Sequence, residues 1–222
     1  MQSLTRSTLT VPLDDGFYRV PNDRAQAYHI VESTKKLERI VNSIPANARR
    51  IVDLGGNVGL FSMMAARKCP DAVIECYEAD PVVAEFARFN LVPYPNVKVI
   101  PKAVMCQAGS ITFYRSSLSN QIGSTNREAV ELFGKPAVEV EVPAVNVHEA
   151  LAGDIDFLKV DIQGVEWSVF KDFDFSNVGV ATFELSYMDP GVIELGTKLL
   201  AEFGSYKVLS AVHAGSDVVF ER

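Results

Sequence analysis

The sequence predicts an α/β protein: a seven-stranded, mostly parallel sheet wrapped by helices, with an antiparallel last strand and a small antiparallel insertion. Three observations predict it. From residue 50 onward, short apolar runs rich in Val, Ile and Phe alternate with stretches of helical periodicity, the pattern of parallel strands joined by crossover helices. The last two apolar runs, "YKVLSAV" and "DVVFER", are separated only by "HAGS". That connection is too short for a crossover, so the final strand must run antiparallel to the one before it. The first run ends in "IVDLGGNVGL", where an aspartate precedes three glycines within five positions, the mark of a chain turning sharply from strand to helix.

The elements follow in order. Residues 1–20 read as a polar, irregular arm broken by Pro12 and Gly16. A helix runs from about Arg24 to Ile44, with Ile30, Leu37, Ile40, Val41 and Ile44 on one face, and Pro45 closes it. Residues 1–45 are thus expected to form a lid or cap on a domain spanning 46–222. "RRIVDLG" is the first buried strand, and "VGLFSMMAARKC" is a helix stopped before Pro70. "AVIECYEA" is the second strand. "DPVVAEFARFNL" is a helix with Asp80 as N-cap and Pro81 at its first position. "VKVIPKAV" is the third strand. The rhythm breaks over about 109–145, where the strands "GSITFYR" and "AVEVEVPAV" flank a long polar loop. "NVHEAL" is a short helix with Asn146 and Glu149 at capping-box spacing. "IDFLKVDIQG" is the fourth main strand and "VEWSVFKDF" a helix. "VATFELSY" is the fifth strand, and "DPGVIELGTKLLAEFG" is a helix begun by Asp189-Pro190 and stopped by Gly204.

Composition narrows the function. The chain has 222 residues, 48% of them hydrophobic, enough for one large domain with a full core. Its net charge of −7 and lack of a Lys/Arg cluster argue against a nucleic-acid partner held through phosphates. No apolar run is long enough to span a bilayer, and the N-terminus lacks a signal-peptide pattern. The expected location is cytoplasmic, with no membrane partner. Cys69, Cys76 and Cys106 read as buried free thiols of a reducing compartment. No H-x-x-H or C-x-x-C spacing supports a metal site. The polar insertion leaves a homodimer open, although no surface patch demands one.

In an open α/β sheet, ligands lie beyond the carboxyl ends of the strands, where strand order reverses. Here the first strand ends at Asp53 and turns through Gly55, Gly56 and Gly59, where absent β-carbons let backbone approach a ligand. The second strand ends in "YEAD", with Glu78 placed to accept both hydroxyls of an adenosine ribose. The spacing G-G-x-x-G, with Asn57 in its middle, differs from the G-x-G-x-x-G that seats a pyrophosphate. S-adenosyl-L-methionine has an adenosine and no phosphate. Its positive groups suit Asp53, and its carboxylate suits backbone amides. Two alternatives stay open: an NAD- or nucleotide-sugar-dependent enzyme on the same fold, and a non-catalytic module that binds the cofactor without turnover. By analogy of fold, a mostly parallel sheet ending in an antiparallel hairpin is the Rossmann-like class I methyltransferase topology.

These segments resemble the FkbM-type S-adenosylmethionine-dependent methyltransferases. "VDLGGNVGLFS" is similar to the family's D-x-G-A-N-x-G pattern, and "YEADP" to its E-P-x-P segment. "FLKVDIQGVEWSVF" looks like its hallmark K-x-D-x-[EQ]-G-x-E. "YRSSLSNQIGST" and "VNVHEAL" sit where the family has a serine-rich loop and a T-L-D-x-L segment. The resemblance runs from about residue 50 to 190 and departs from the pattern at Gly56, usually alanine, and Ala79, usually proline. It implies methyl transfer to oxygen on a carbohydrate or small metabolite.

The residues expected to hold cofactor are Asp53, Gly55, Gly56, Asn57, Gly59, Glu78 and Ala79, with Ala103 touching the adenine. Asp161 ends the fourth strand, where a carboxylate can take a proton from an acceptor, orient its hydroxyl, or cap the next helix. Glu166, in the first turn of that helix, suits either substrate binding or the helix dipole. Glu184 interrupts an apolar strand, which is costly unless it is paired or faces a cleft. Asp161, Glu166 and Glu184 are therefore the candidate catalytic residues. Ser117, Asn120 and Ser124, in a loop crowded with hydroxyls, are the candidate substrate contacts, together with Tyr187 and His213. His148 and Trp167 read as structural, while His29 lies on a helix that either folds over the cofactor or leaves the histidine on a partly exposed face.

Overall fold

The run "RIVDL" carries its apolar residues without alternation because both faces of its strand are covered. The structure, a computed structural model, describes residues 8–13, 16–21, 24–116, 123–133, 136–186, 189–212 and 215–222. In chain order these form β1 (Thr8–Leu13), β2 (Gly16–Pro21), α1 (Arg24–Asn42), β3 (Arg50–Leu54), α2 (Leu60–Lys68), β4 (Val73–Tyr77), α3 (Pro81–Leu91), β5 (Val97–Ile100), β6 (Ala103–Met105), β7 (Gly109–Ser116), β8 (Gly123–Ser124), α4 (Arg127–Phe133), β9 (Ala137–Asn146), α5 (Val147–Ala150), β10 (Ile155–Val160), α6 (Glu166–Phe170), β11 (Val178–Ser186), α7 (Val192–Glu202), β12 (Ser205–Val212) and β13 (Gly215–Glu221).

Among the described residues the main sheet has the order β12-β13-β11-β10-β3-β4-β5. Strands β3, β4, β5, β10 and β11 run parallel. Strand β13 enters antiparallel between β11 and β12, as the short last connection requires. From β3 the chain works outward through β4 and β5, then returns to β10 on the other side. The order therefore reverses between β3 and β10, and their carboxyl ends flank the switch point.

Alternate residues of β10 feed the two faces of the sheet. Leu158 and Val160 join a core with Phe170, Phe175, Phe183, Phe203 and Phe220. Phe157 joins Ile40, Ile51 and Phe61 on the face that α1 and α2 cover. Each fully buried phenylalanine contributes about 1.5–3 kcal/mol of apolar burial. No helix among the described residues is long and apolar enough to cross a membrane.

Four expectations change. The arm contains a hairpin, β1–β2. Val11, Tyr18 and Val20 alternate inward onto Val58, Leu60 and Cys76, and the Asn90 amide exchanges two 2.9 Å hydrogen bonds with the backbone of Arg19. The third strand breaks at Pro101, which has no N–H to continue a ladder. Its second half, β6, pairs instead with β9 in the four-stranded sheet β6-β9-β7-β8. The polar insertion holds the short helix α4, begun by the Asn126 side chain accepting from Glu128 N. Cys106 is exposed, whereas Cys69 and Cys76 are buried.

Candidate active site

The glycine turn is shaped by protein crowding. A β-carbon on Gly55, whose φ is +80°, would lie 1.8 Å from the Asp161 carbonyl oxygen. Only glycine lets the ends of β3 and β10 meet this closely. Asp161 N donates to Leu54 O at 3.0 Å across the same junction. Gly56 packs on Cys76 and Gly59 on Leu91. Neither lines the cleft beyond the turn, although both were expected to hold cofactor. Nor does Asp53, which was expected to suit the cofactor's positive groups. It is fully buried behind the turn, where its carboxylate accepts from Lys159 Nζ at 3.0 Å and Ser62 Oγ at 2.7 Å.

Beyond the turn lies a cleft of about 790 Å³ including its open mouth. Gly55, Asn57, Glu78, Ala79, Ala103 and Asp161 line it, and Tyr77, Val83, Met105 and Phe113 give it an apolar wall. Glu78 accepts from Asn57 N and Asp80 N, both at 2.8 Å. Burial nevertheless pushes its carboxyl up to about 7. Two fixed amide donors aim this carboxylate while its remaining lone pairs stay available to hydroxyls.

Asp161 stands at the carboxyl end of β10. Gln163 Nε2 donates to its Oδ1 at 2.7 Å. Glu166 was expected at an acceptor. Instead it accepts from Ile162 N at 3.1 Å and Gly164 N at 2.9 Å, and it is 2% exposed. The correction has a simple cause: the tight turn between Asp161 and α6 leaves amides that only this side chain satisfies. Burial pushes Glu166 up to about 7. Ser124 is likewise consumed by structure, donating to Gln163 O at 2.8 Å and accepting from Asn126 N at 3.0 Å.

Glu184, near the end of β11, hydrogen-bonds Asp161. The Asp161 charge, and then burial, raise the Glu184 carboxyl to about 8. Burial opposes the charge on Asp161 itself, but the Lys159 and Lys36 ammoniums outweigh it and hold this carboxyl below its usual range. The bond therefore runs from a protonated Glu184 to a charged Asp161.

Lys36 of α1 meets Glu184 at 3.2 Å and Asp217 of β13 at 3.0 Å. Sequence reasoning missed Lys36 and Asp217, because no local pattern links a helix face to strands so far along the chain. It also passed over Lys159, although a lysine inside the apolar run "FLKV" marks a buried partner. Thr125, from the insertion, joins the cleft wall as well.

Ser117, Asn120, Tyr187 and His213 lie outside the described residues. His148 packs its ring against Phe173, with centroids 5.4 Å apart. Trp167 packs on Gly191, where a β-carbon would come within 2.0 Å of the indole. Among the described residues no group of His, Cys, Asp and Glu is arranged to hold a metal.

The geometry agrees with what the chain is similar to. The family model of the methyltransferase FkbM domain matches residues 53–204. Methyltransferase sdnD of Sordaria araneosa is 29% identical, over 79% of this chain and 82% of that protein. A precorrin-6y C5,15-methyltransferase from Geobacter metallireducens GS-15 shares the fold, with a TM-score of 0.54 and 11% identity over 85% of this chain and 89% of that one. A SAM-dependent O-methyltransferase from Thermotoga maritima does so with a TM-score of 0.52 and 13% identity, over 96% of this chain and 76% of that one. With Gly55, Glu78 and Asp161 of the matched segment meeting in one cleft, the chain belongs to the FkbM methyltransferase domain family.

Proposed function

We propose that this methyltransferase uses S-adenosyl-L-methionine to methylate a hydroxyl oxygen of a carbohydrate or other small metabolite. One observation carries the reading: a single cleft joins the amide-aimed carboxylate of Glu78 to Asp161 at the switch point, and Glu184 stands behind Asp161 as its acid partner. The donor set fits the cofactor. Glu78 suits the ribose hydroxyls, and Val83, Ala103 and Met105 offer an apolar slot for a flat base.

When bound, the cofactor supplies an electrophilic methyl carbon on a positively charged sulfur that keeps the bonding electrons on transfer. The chain's own residues handle the acceptor. Asp161, held by Gln163, takes a hydrogen bond from the acceptor hydroxyl and fixes its direction. As the new carbon–oxygen bond forms, the hydroxyl proton passes to the Asp161–Glu184 pair, which is a base once its shared proton has left. An oxygen nucleophile needs such a base, and the paired carboxyls favour oxygen for that reason.

Isothermal titration with S-adenosylhomocysteine, beside NAD, tests the reading. Wild type is expected to bind the homocysteine compound and not NAD, and Glu78→Gln to bind it at least ~10-fold more weakly while melting as a folded protein. Binding of NAD alone would overturn it.

A further inference from the structure

The matched segment ends at residue 204 and starts at 53, yet the acid pair is completed by residues outside it on both flanks. Lys36 arrives on α1 and Asp217 on β13, and Lys36 Nζ bridges Asp217 and Glu184 at 3.0 and 3.2 Å. The Glu184 carboxyl thus has two partners, the Asp161 carboxyl and the Lys36 ammonium. We infer that Lys36 is a positioning residue for methyl transfer: its ammonium fixes Glu184 against Asp161 and lets the pair release its shared proton, leaving a base for the acceptor hydroxyl. This rests on the proposed role of the pair as proton acceptor.

The charges around Glu184 decide the sign. Among the described residues those facing it are Lys36 from α1, Asp161 at the end of β10 and Asp217 from β13, with Lys159 behind Asp161. Asp161 and Asp217 oppose ionisation of Glu184, and Lys36 favours it. Two carboxylates so close keep a proton between them unless a cation compensates. Burial works against the charge on Lys36, but Asp161, Glu184 and Asp217 together outweigh it, so the ammonium stays protonated throughout the range in which the pair titrates. Side chains of Lys36 and Glu184 are 30% and 21% exposed. Asp217 is only 5% exposed and anchors the ammonium at 3.0 Å.

The test reads the carboxyls directly and needs neither acceptor nor cofactor. The full chain, labelled with carboxyl-13C glutamate and aspartate, is titrated by NMR, with Glu184→Gln assigning the Glu184 signal. The expected result is that Lys36→Gln raises the Glu184 midpoint by about one pH unit or more, that Lys36→Arg leaves it close to wild type, and that Asp217→Asn lowers it. A lysine that serves only to pack α1 against the sheet, with its charge screened from Glu184, would leave the midpoint in place in both variants. An unmoved midpoint in folded Lys36→Gln overturns the inference. Should that variant not fold, an Asp217→Asn midpoint that stays put or rises overturns it instead. Lys36 does not line the cofactor cleft, so Lys36→Gln is expected to keep wild-type affinity for S-adenosylhomocysteine. Failure of wild type to bind that compound defeats the functional reading separately, without touching the titration.

Discussion

Lys159 Nζ lies 3.0 Å from Asp53 Oδ1 in the middle of the main sheet, with 7% and 0% of the two side chains exposed. The pair spans neighbouring parallel strands in register. Lys159 also donates to Gly55 O at 3.1 Å, so one ammonium ties the strand β10 to the turn that floors the cleft. Burial opposes its charge, but Asp53 and Asp161 overcome this and raise its pKa.

A pair this deep is costly to break from one side. Lys159→Met leaves the buried Asp53 carboxylate without its cation, with only Ser62 still donating to it, and is expected to cost about 3–5 kcal/mol. Asp53→Asn alone strands the ammonium on Gly55 O. The double variant, which removes both charges, is expected to recover a large part of the loss. Urea unfolding of all four proteins gives the coupling directly. Additive losses would mean that the two charges do not stabilise each other.

Gly55 offers a second, sharper expectation. Alanine there meets two penalties at once: the left-handed backbone, about 1–2 kcal/mol, and a β-carbon 1.8 Å from the Asp161 carbonyl oxygen. The backbone of Asp161 cannot swing aside as a long side chain would, because its N–H is held by Leu54 O. Gly55→Ala should therefore lower the urea midpoint by the equivalent of about 3 kcal/mol or more, and weaken S-adenosylhomocysteine binding through the displaced Asp161. An alanine variant of wild-type stability would show that the two strand ends are free to separate.

The sheet was legible in the sequence because its strands are buried on both faces and read as continuous apolar runs, as in "RIVDL" and "IDFLKV". The Asp80 cap was legible because its chemistry is local: its carboxylate accepts from Val82 N at 2.8 Å, two residues on. Asp189 shows the limit of that logic. It has the same Asp-Pro signature, yet α7 starts at Val192, and the carboxylate splits between Gly191 N and Trp167 N. The β1–β2 hairpin was hidden because its alternation is short and interrupted by Pro12. The switch of β6 into the second sheet left no mark in a run that stays apolar through Pro101.

In the site, strand ends could be placed from sequence, so Glu78, Ala103 and Asp161 fall in the cleft. Side-chain direction could not. Glu166 follows Asp161 by five positions but turns back on its own loop, and Lys36 reaches Glu184 across 148 positions.

The two carboxyls that fold back onto backbone amides give stability a definite pH dependence. Glu78 and Glu166 titrate at about 7 in the folded chain because of burial, against about 4.3 when unfolded. A folded value raised above the unfolded one adds stability that is complete below the unfolded pKa and is lost as pH rises through the folded pKa. Between pH 5 and 7 the native state binds the extra protons, so each group lowers unfolding free energy by up to about 1.4 kcal/mol per pH unit. The urea midpoint is expected to fall from pH 5 through about 7, with Glu184, raised to about 8, extending the fall before it levels off. Glu166→Gln removes one of these titrations. It should start lower at pH 5, because its NH2 faces an amide that lost its acceptor, a cost of about 1–3 kcal/mol, and then fall less steeply. A midpoint that instead climbs from pH 5 to 7 would mean that the amide bonds at Asn57, Asp80, Ile162 and Gly164 favour the charged carboxylates more strongly than burial opposes them.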